Sequence, residues 1–218
     1  MRNKAISLVL FISILAGTSA LADTGIPWVG YIDAELYEEV SLFILPDGSG
    51  PPLTEAYVFG GDTFDATIEI GLVDSFFSPI PNFPLEDIWL EGETPSLSSC
   101  AGSGYYNSGF NPDSNTGPDG ETTFTTSLAG GGWTEGPVWV YLNGSRATDP
   151  IGNEFNPVLL RINSADISGD GRVNLADVGM FAENFFGEYH YRSDFFWDGV
   201  LNLSDLGMMA TGIGRNCE

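Results

Sequence analysis

The sequence is poor in basic residues. Its 218 residues include 7 lysines and arginines against 30 aspartates and glutamates, and no lysine follows Lys4. The formal net charge at pH 7 is -23. This balance argues against nucleic acid and against anionic membrane surfaces as partners, since both would be repelled.

Residues that commonly carry catalysis are also scarce. His190 is the single histidine, and it lies far along the chain from either cysteine. No Gly-x-Ser-x-Gly elbow, His-Glu-x-x-His helix or phosphate-binding loop occurs. Thirty acidic residues contain many carboxylate pairs, so their number alone does not indicate a glycosidase. We therefore expect a protein that is not an enzyme.

Cysteine is limited to Cys100 and Cys217. An even count in an exported chain permits one disulfide, which would tie the middle of the chain to its end. Two free thiols are equally compatible with the sequence, because spacing alone does not give the geometry of a bond.

Long apolar runs are missing except at the start. Residues 1–22 have the layout of a secretion signal of the bacterial kind: Arg2 and Lys4 come first, residues 5–16 are almost all apolar, and Ala20 and Ala22 provide small residues for cleavage. No later stretch is long enough to span a bilayer. The sequence therefore predicts a secreted, extracellular or cell-surface protein without a membrane span.

Residues 23–163 contain short apolar runs separated by Gly, Pro, Asn and Asp, with almost no helical periodicity. This pattern predicts a mainly β fold, an antiparallel β-sandwich of about eight strands. The predicted strands are residues 31–37, 40–45, 56–59, 66–73, 88–90, 122–125, 138–142 and 158–162. The strand at residues 138–142 leads into an Asn143-Gly144 turn.

Three segments of this region carry a family resemblance. They are ATIEI at residues 66–70, PIPNFP at 79–84 and TGPDGETTF at 116–124. Together they resemble a bacterial immunoglobulin-like domain of the kind repeated in invasins. The resemblance implies an immunoglobulin-like β-sandwich with a structural or adhesive role.

A long polar segment, residues 96–120, contains Tyr105, Tyr106 and Phe110. Such aromatic side chains either stack on a sugar or a partner, or pin the segment to the sandwich. The first alternative would make the protein a carbohydrate-binding module for a polysaccharide.

Residues 166–177, which we call loop 1, read DISGDGRVNLAD. Oxygen-bearing side chains fall at loop positions 1, 3, 5, 9 and 12, and glycine falls at position 6, as in a calcium-binding loop. Position 7 would contribute its backbone carbonyl. The predicted Ca²⁺ ligands are Asp166, Ser168, Asp170, Arg172 through its carbonyl, Asn174 and Asp177.

The same pattern returns 28 residues later, in residues 194–205, which we call loop 2. Its predicted ligands are Asp194, Asp198, Val200 through its carbonyl, Asn202 and Asp205. Phe196 replaces the oxygen donor at position 3, so we expect a site that is weaker, completed by water, or empty.

Each loop is followed by apolar residues at helical spacing. The two sets are Val178, Phe181, Ala182 and Phe185, and then Leu206, Met209, Ala210 and Ile213. The pattern predicts two short amphipathic helices that bury their apolar faces against each other.

This duplicated loop and helix resembles the type I dockerin domain, and the match covers residues 164–218. The resemblance implies an EF-hand-like all-α pair that binds calcium and docks onto a cohesin domain. It also places partner recognition just before the final Asp of each loop, at residues 175–176 and 203–204. We therefore expect a secreted interaction protein, which docks to a cohesin-like partner or to itself. The alternatives are a polysaccharide-binding module tethered by the repeats and a self-assembling surface or fibre subunit.

Overall fold

The structure is a computed structural model that describes residues 27–34, 39–93, 97–100 and 108–217. The predicted secretion signal lies outside these residues, as do Tyr105 and Tyr106. Within the described residues, thirteen strands and two short α-helices confirm a mainly β protein. Neither helix in the described part of the chain has the length and apolar character needed to cross a bilayer.

The strands are β1 (Trp28–Asp33), β2 (Val40–Ile44), β3 (Ala56–Val58), β4 (Thr63–Phe64), β5 (Ile68–Val73), β6 (Ile88–Gly92), β7 (Ser98–Ser99), β8 (Glu121–Phe124), β9 (Gly130–Gly131), β10 (Trp133–Thr134), β11 (Val138–Leu142), β12 (Ser145–Arg146) and β13 (Leu160–Ser164). The helices are α1 (Leu175–Phe186) and α2 (Leu203–Gly212), with 3₁₀ turns at Leu53–Glu55, Leu85–Asp87, Ser108–Phe110 and Tyr191–Ser193.

The strands form four sheets around one large core. Their orders are β1-β5-β8, β10-β13-β2-β3-β4, β12-β11-β6 and β7-β9. Alternate residues of the strands point into the core, as Ile68 and Ile70 do from β5 and Val138 and Val140 do from β11. All these side chains are buried, so their removal from water is a main source of stability.

One pairing departs from an antiparallel arrangement. Strands β2 and β13 run parallel, with Leu160 opposite Val40 and Ser164 opposite Ile44. Parallel strands cannot be joined by a short hairpin. These two strands are separated by more than a hundred residues, so the chain between them is long enough to make the connection. The boundary that we predicted after residue 163 falls inside β13.

Strand β2 is buried on both faces, which explains why all its residues except Ser41 are apolar. Leu42 and Ile44 face the large core. Phe43 faces the other way, into a second cluster that contains Phe181 of α1 and Met209 of α2. The repeats therefore pack directly on the outer face of the β2–β13 pair.

The face predicted for α1 is buried, and the face predicted for α2 is wrong in part. The helices pack mainly on Phe43 of β2 and Phe195 of loop 2, not against each other as predicted. Phe181 is buried in α1, but Leu206 and Ile213 of α2 are about half exposed, at 45% and 58%. The buried face of α2 consists of Asp205, Met209 and Gly212 instead. Helix α2 turns this way because Gly212 approaches Ala165 closely; a β-carbon at Gly212 would lie 2.5 Å from that of Ala165.

Candidate metal centre

Loop 1 leaves the end of β13 and closes around the carboxylate of Asp166, which is fully buried. Its Oδ1 accepts hydrogen bonds from the N–H groups of Gly169 (2.9 Å) and Asp170 (3.2 Å), and its Oδ2 accepts one from Gly171 (2.8 Å). Gly171 has a φ of 83°, in the left-handed region that glycine adopts without strain. The sharp turn predicted at position 6 is therefore present.

The other end of loop 1 is a capping box for helix α1. Asn174 is the N-cap, and its Oδ1 accepts from the N–H of Ala176 at 2.8 Å. Asp177, also fully buried, accepts from the N–H of Ser168 on Oδ1 and from the N–H of Asn174 on Oδ2, each at 2.9 Å. The carboxylate of Asp177, the last residue of loop 1, therefore lies beside the first residues of the loop.

These contacts bring three predicted ligands together. One carboxylate oxygen each from Asp166, Asp170 and Asp177 lies within 4.8 Å of the other two. Ca²⁺ binds oxygen at about 2.4 Å, so any two of its ligand oxygens lie no more than about 4.8 Å apart. The carboxylate separation therefore fits a calcium ion, and hard carboxylate oxygens are its preferred ligands.

The remaining predicted ligands of loop 1 lie beside the cluster. Ser168 donates from its Oγ to Asp166 at 3.2 Å. The Nδ2 of Asn174 donates to Asp170 (3.3 Å) and to the carbonyl of Arg172 (3.4 Å), so it approaches two of the predicted ligand groups. Because the Oδ1 of Asn174 already caps the helix, this residue fits an ion-bound water better than direct ligation.

Loop 2 repeats the same framework. Asp194 accepts from the N–H of Gly199 at 3.0 Å, and Asp205 accepts from the N–H groups of Phe196 (3.0 Å) and Asn202 (2.9 Å). Asn202 caps α2 and donates to Asp198 at 2.8 Å and to the carbonyl of Val200 at 3.1 Å. The hydrogen bonds donated by the N–H groups of loop positions 3, 5, 6, 7 and 9 thus recur in the second repeat, whereas those from the position-3 hydroxyl and the position-4 N–H of loop 1 do not.

The second acidic cluster is nevertheless different. Among the described residues, only loop 1 brings three carboxylate oxygens within 4.8 Å of one another. In loop 2, one oxygen of Asp194 also accepts from the hydroxyl of Tyr189, at 2.8 Å. Position 3 offers no side-chain oxygen, because it is Phe196.

Phe196 instead fastens loop 2 to the sheet. Its ring lies 5.3 Å from that of Tyr57 in β3, and it fills a space beside Gly61 that a β-carbon on that glycine would occupy. The next residue, Trp197, is buried with a φ of 48°, and its ring meets Phe59 edge-on at 5.9 Å. Loop 2 thus uses aromatic packing where loop 1 has a ligand and a glycine.

Burial sets the electrostatics of both loops. It raises the pKa of Asp166, an effect that the N–H of Gly171 opposes and the nearby charge of Asp177 reinforces. Burial likewise raises the pKa of Asp194 and of Asp205. At Asp166, burial and the nearby charge of Asp177 disfavour the charged carboxylate, and a divalent cation beside it would offset both effects.

Residues far away in the sequence complete the surroundings of loop 1. The N–H of Gly132 donates to the carbonyl of Asp166 at 2.6 Å, and Ser98 donates to the carbonyl of Gly169 at 2.9 Å. A β-carbon at Gly131 would collide with the Asp166 carboxylate. Sequence reasoning missed these residues; the only signal was the run of three glycines at 130–132.

The end of the chain also belongs to this centre. Cys217 forms a disulfide with Cys100, with Cα atoms 5.3 Å apart, so the structure contains the bonded alternative. The N–H of Cys217 donates to the carbonyl of Gly171 at 2.9 Å, and Asn216 forms a β-bridge with Arg172. The disulfide therefore holds loop 1 to the segment around β7.

His190 takes no part in the acidic clusters. Its ring meets Trp133 edge-on at 4.9 Å, and its Nδ1 accepts from the N–H of Arg192 at 3.2 Å. These contacts give the single histidine a structural position between the repeats and the sheet.

The structure thus contains a duplicated loop and helix that pack on a β-rich body, and loop 1 carries a compact acidic cluster. The chain matches no protein-family model, no curated protein and no solved structure.

Proposed function

We propose that the protein is an exported, non-catalytic interaction protein whose duplicated repeats bind calcium and dock onto a partner protein. In this proposal the β-rich body is an immunoglobulin-like sandwich, and the repeats form a dockerin-like unit. The observation that carries the proposal is the recurrence of one loop framework at two places 28 residues apart. Both copies bury their first and last carboxylates and begin a helix at the same loop position.

Calcium would bind first to loop 1. Asp166, Asp170 and Asp177 supply the carboxylates, Arg172 supplies its carbonyl, and Ser168 and water complete the shell. Loop 2 lacks a position-3 oxygen, so it would bind more weakly and through more water molecules. Export is supported by the character of residues 1–22 and by the disulfide, which is typical of oxidising compartments.

The repeats also display matching apolar residues. Leu175 and Leu203 are the first residues of α1 and α2, and they are 86% and 77% exposed. Both stand at the place that the dockerin resemblance assigns to partner recognition. An exposed leucine gains nothing within the monomer, so these two are well placed to enter a partner's apolar surface.

Calorimetric titration of the mature protein with calcium tests the first half of the proposal. We expect one tightly bound ion and one weakly bound ion. In the Asp170→Ala variant, the tight binding should be lost. Absence of calcium binding would overturn the metal centre and leave the repeats as two helices packed on the sheet.

Docking is tested with a panel of immobilised cohesin domains, in calcium and in chelator. Changing both Leu175 and Leu203 to Ser should abolish capture, whereas Ile151→Ser should not, although Ile151 is equally exposed at 80%. Size-exclusion chromatography at rising concentration covers the alternative of self-association. No capture in the panel and no concentration dependence would argue against docking.

A further inference from the structure

The outer face of the β12-β11-β6 sheet carries an aromatic strip. Strand β11 alternates strictly: Val138, Val140 and Leu142 enter the core, so Trp139 and Tyr141 point outward.

The strip is built on two cross-strand pairs. Tyr141 lies opposite Trp89 of β6, and their rings stack with centroids 5.7 Å apart and planes 16° from parallel. Trp89 is only 5% exposed, and its indole N–H donates to Glu91 at 3.1 Å. The indole is thus a fixed support for the partly exposed ring of Tyr141. Beside it, the Arg146 guanidinium covers Trp139 at 4.0 Å.

An open cleft of about 560 Å³ lies against this pair, a size in the ordinary range of ligand sites. Its lining includes Glu86, Asp87, Trp89, Glu91, Tyr141 and Asn143. The rim is held in place because the N–H of Asn143 donates to the carbonyl of Asp87 at 2.9 Å.

The polar side chains of the rim are not used to hold the fold. Within the described part of the chain, no hydrogen bond engages the side chains of Glu86, Asp87 or Asn143. They flank an aromatic ring in a concave site whose backbone is fixed by the β6–β11 pairing and by a two-residue hairpin turn. Hydrogen-bonding groups beside a rigid aromatic surface suit a ligand that is apolar on one face and rich in hydroxyls at its edge.

From this arrangement we infer that the cleft binds a neutral polysaccharide. The C–H face of a sugar ring packs on Tyr141, and its hydroxyls donate to the carboxylates of Glu86 and Asp87 or bond to the amide of Asn143. Three carboxylates in the cleft and the net charge of -23 exclude sulfated or uronic-acid polymers. A bound metal ion would account for the carboxylates of the cleft but not for the stacked rings of Tyr141 and Trp89. This inference does not rest on the docking function, since the cleft lies on a different sheet from the one that carries the repeats.

The test is affinity electrophoresis of the full mature protein in gels containing soluble neutral glucans, xylans, mannans or galactans, with alginate as the anionic counterpart. We expect retardation by at least one neutral polymer and none by alginate. Tyr141→Ala should weaken that binding about tenfold or more, whereas Phe76→Ala, which removes an equally aromatic side chain that is 79% exposed elsewhere, should leave it unchanged. Glu86→Gln with Asp87→Asn tests the rim without removing the ring.

Three outcomes would overturn the inference: retardation by none of the neutral polymers, equal retardation of Tyr141→Ala and the natural chain, or loss of binding in chelator. Near-ultraviolet circular dichroism of each variant separates a lost site from a lost fold. If Tyr141→Ala does not fold, the rim variant decides, because Glu86 and Asp87 are partly exposed and their substitutions keep the side-chain size. Failure of calcium binding would leave the sugar result unaffected.

Discussion

Replacing Phe196 by Asn should convert a packing position into a ligand position. The phenylalanine stands at position 3 of loop 2, where loop 1 has the oxygen of Ser168, and it contacts Tyr57 beside Gly61. The substitution leaves the backbone N–H that bonds to Asp205 in place. The loop framework should therefore survive while its ring contact is lost.

The magnitudes of the two effects are comparable. Removing a fully buried phenylalanine costs about 3–5 kcal/mol, so a partly buried one such as Phe196 should cost about 2 kcal/mol. A calcium ion that binds the folded loop returns about 2.7 kcal/mol when its concentration is one hundred times the dissociation constant. Phe196→Asn should thus be less stable than the natural chain in chelator and of similar stability in saturating calcium.

Urea unfolding in chelator and in calcium measures this difference, and calorimetry counts the ions. Phe196→Leu is the matched control, because it also loses the aromatic pair but gains no oxygen. It should be destabilised by a similar amount in chelator and in calcium, so that calcium restores none of the lost stability. If Asn and Leu behave alike, and the number of tight ions stays at one, then position 3 does not limit loop 2 and the reasoning is refuted.

Three further predictions concern loop 1 and its surroundings. Gly131→Ala should weaken calcium binding by loop 1 at least tenfold, because the new methyl group would displace the first carboxylate, whereas Gly179→Ala, which meets no atom within 4 Å, should leave calorimetric affinity unchanged; equal affinity in both would contradict the close approach. Cys100→Ser should lower the free energy of unfolding, measured in urea, by about 2–5 kcal/mol, because it removes a disulfide that joins residues 117 positions apart. It should also weaken calcium binding by loop 1 more than by loop 2. Unchanged calcium affinity would show that the chain end does not support loop 1. Asp170→Ala should reduce calcium affinity in titration far more than Asp198→Ala, since only the first belongs to a compact carboxylate cluster, and similar losses would mean that the loops are equivalent.

Chelation bears on how the two parts of the chain are joined. If the repeats were an independent unit, removal of calcium would unfold them and leave the β-rich body standing. The structure shows that Phe43 of β2 shares one cluster with Phe181 and Met209 of the helices. We now expect chelation to loosen loop 1 locally while the aromatic contacts of loop 2 keep the repeats on the sheet. Limited proteolysis measures this, and cleavage at equal rates in both loops would contradict it.

Much of the local structure could be read from the sequence. Strands β2, β5, β6 and β11 lie within two residues of their predicted bounds, because alternation of apolar residues and turn residues at the ends are local signals. The Asn143-Gly144 turn is also present, with both residues at positive φ. The starts of α1 and α2 follow from the capping pattern of Asn and Asp three residues apart.

Other features were beyond prediction from local pattern. The parallel pairing of β2 with β13 joins segments whose sequences carry no sign of each other. The buried face of α2 was misjudged because Leu206 and Ile213 fit the helical period as well as Met209 and Gly212 do. Tertiary packing chose between them, since only a glycine admits the close approach of Ala165.

By itself, the sequence determined the β-rich composition, the two loop frameworks and the residues able to offer oxygen to a cation, because each of these depends on neighbours a few positions apart. Tertiary structure alone decided what surrounds each loop. It placed Gly131 and the Cys100–Cys217 disulfide against loop 1 and turned Phe196 and Trp197 of loop 2 onto the sheet. It also stacked Tyr141 on Trp89 in an open cleft. The physical reason is that close packing and charge burial depend on distances through space, which spacing along the chain does not encode.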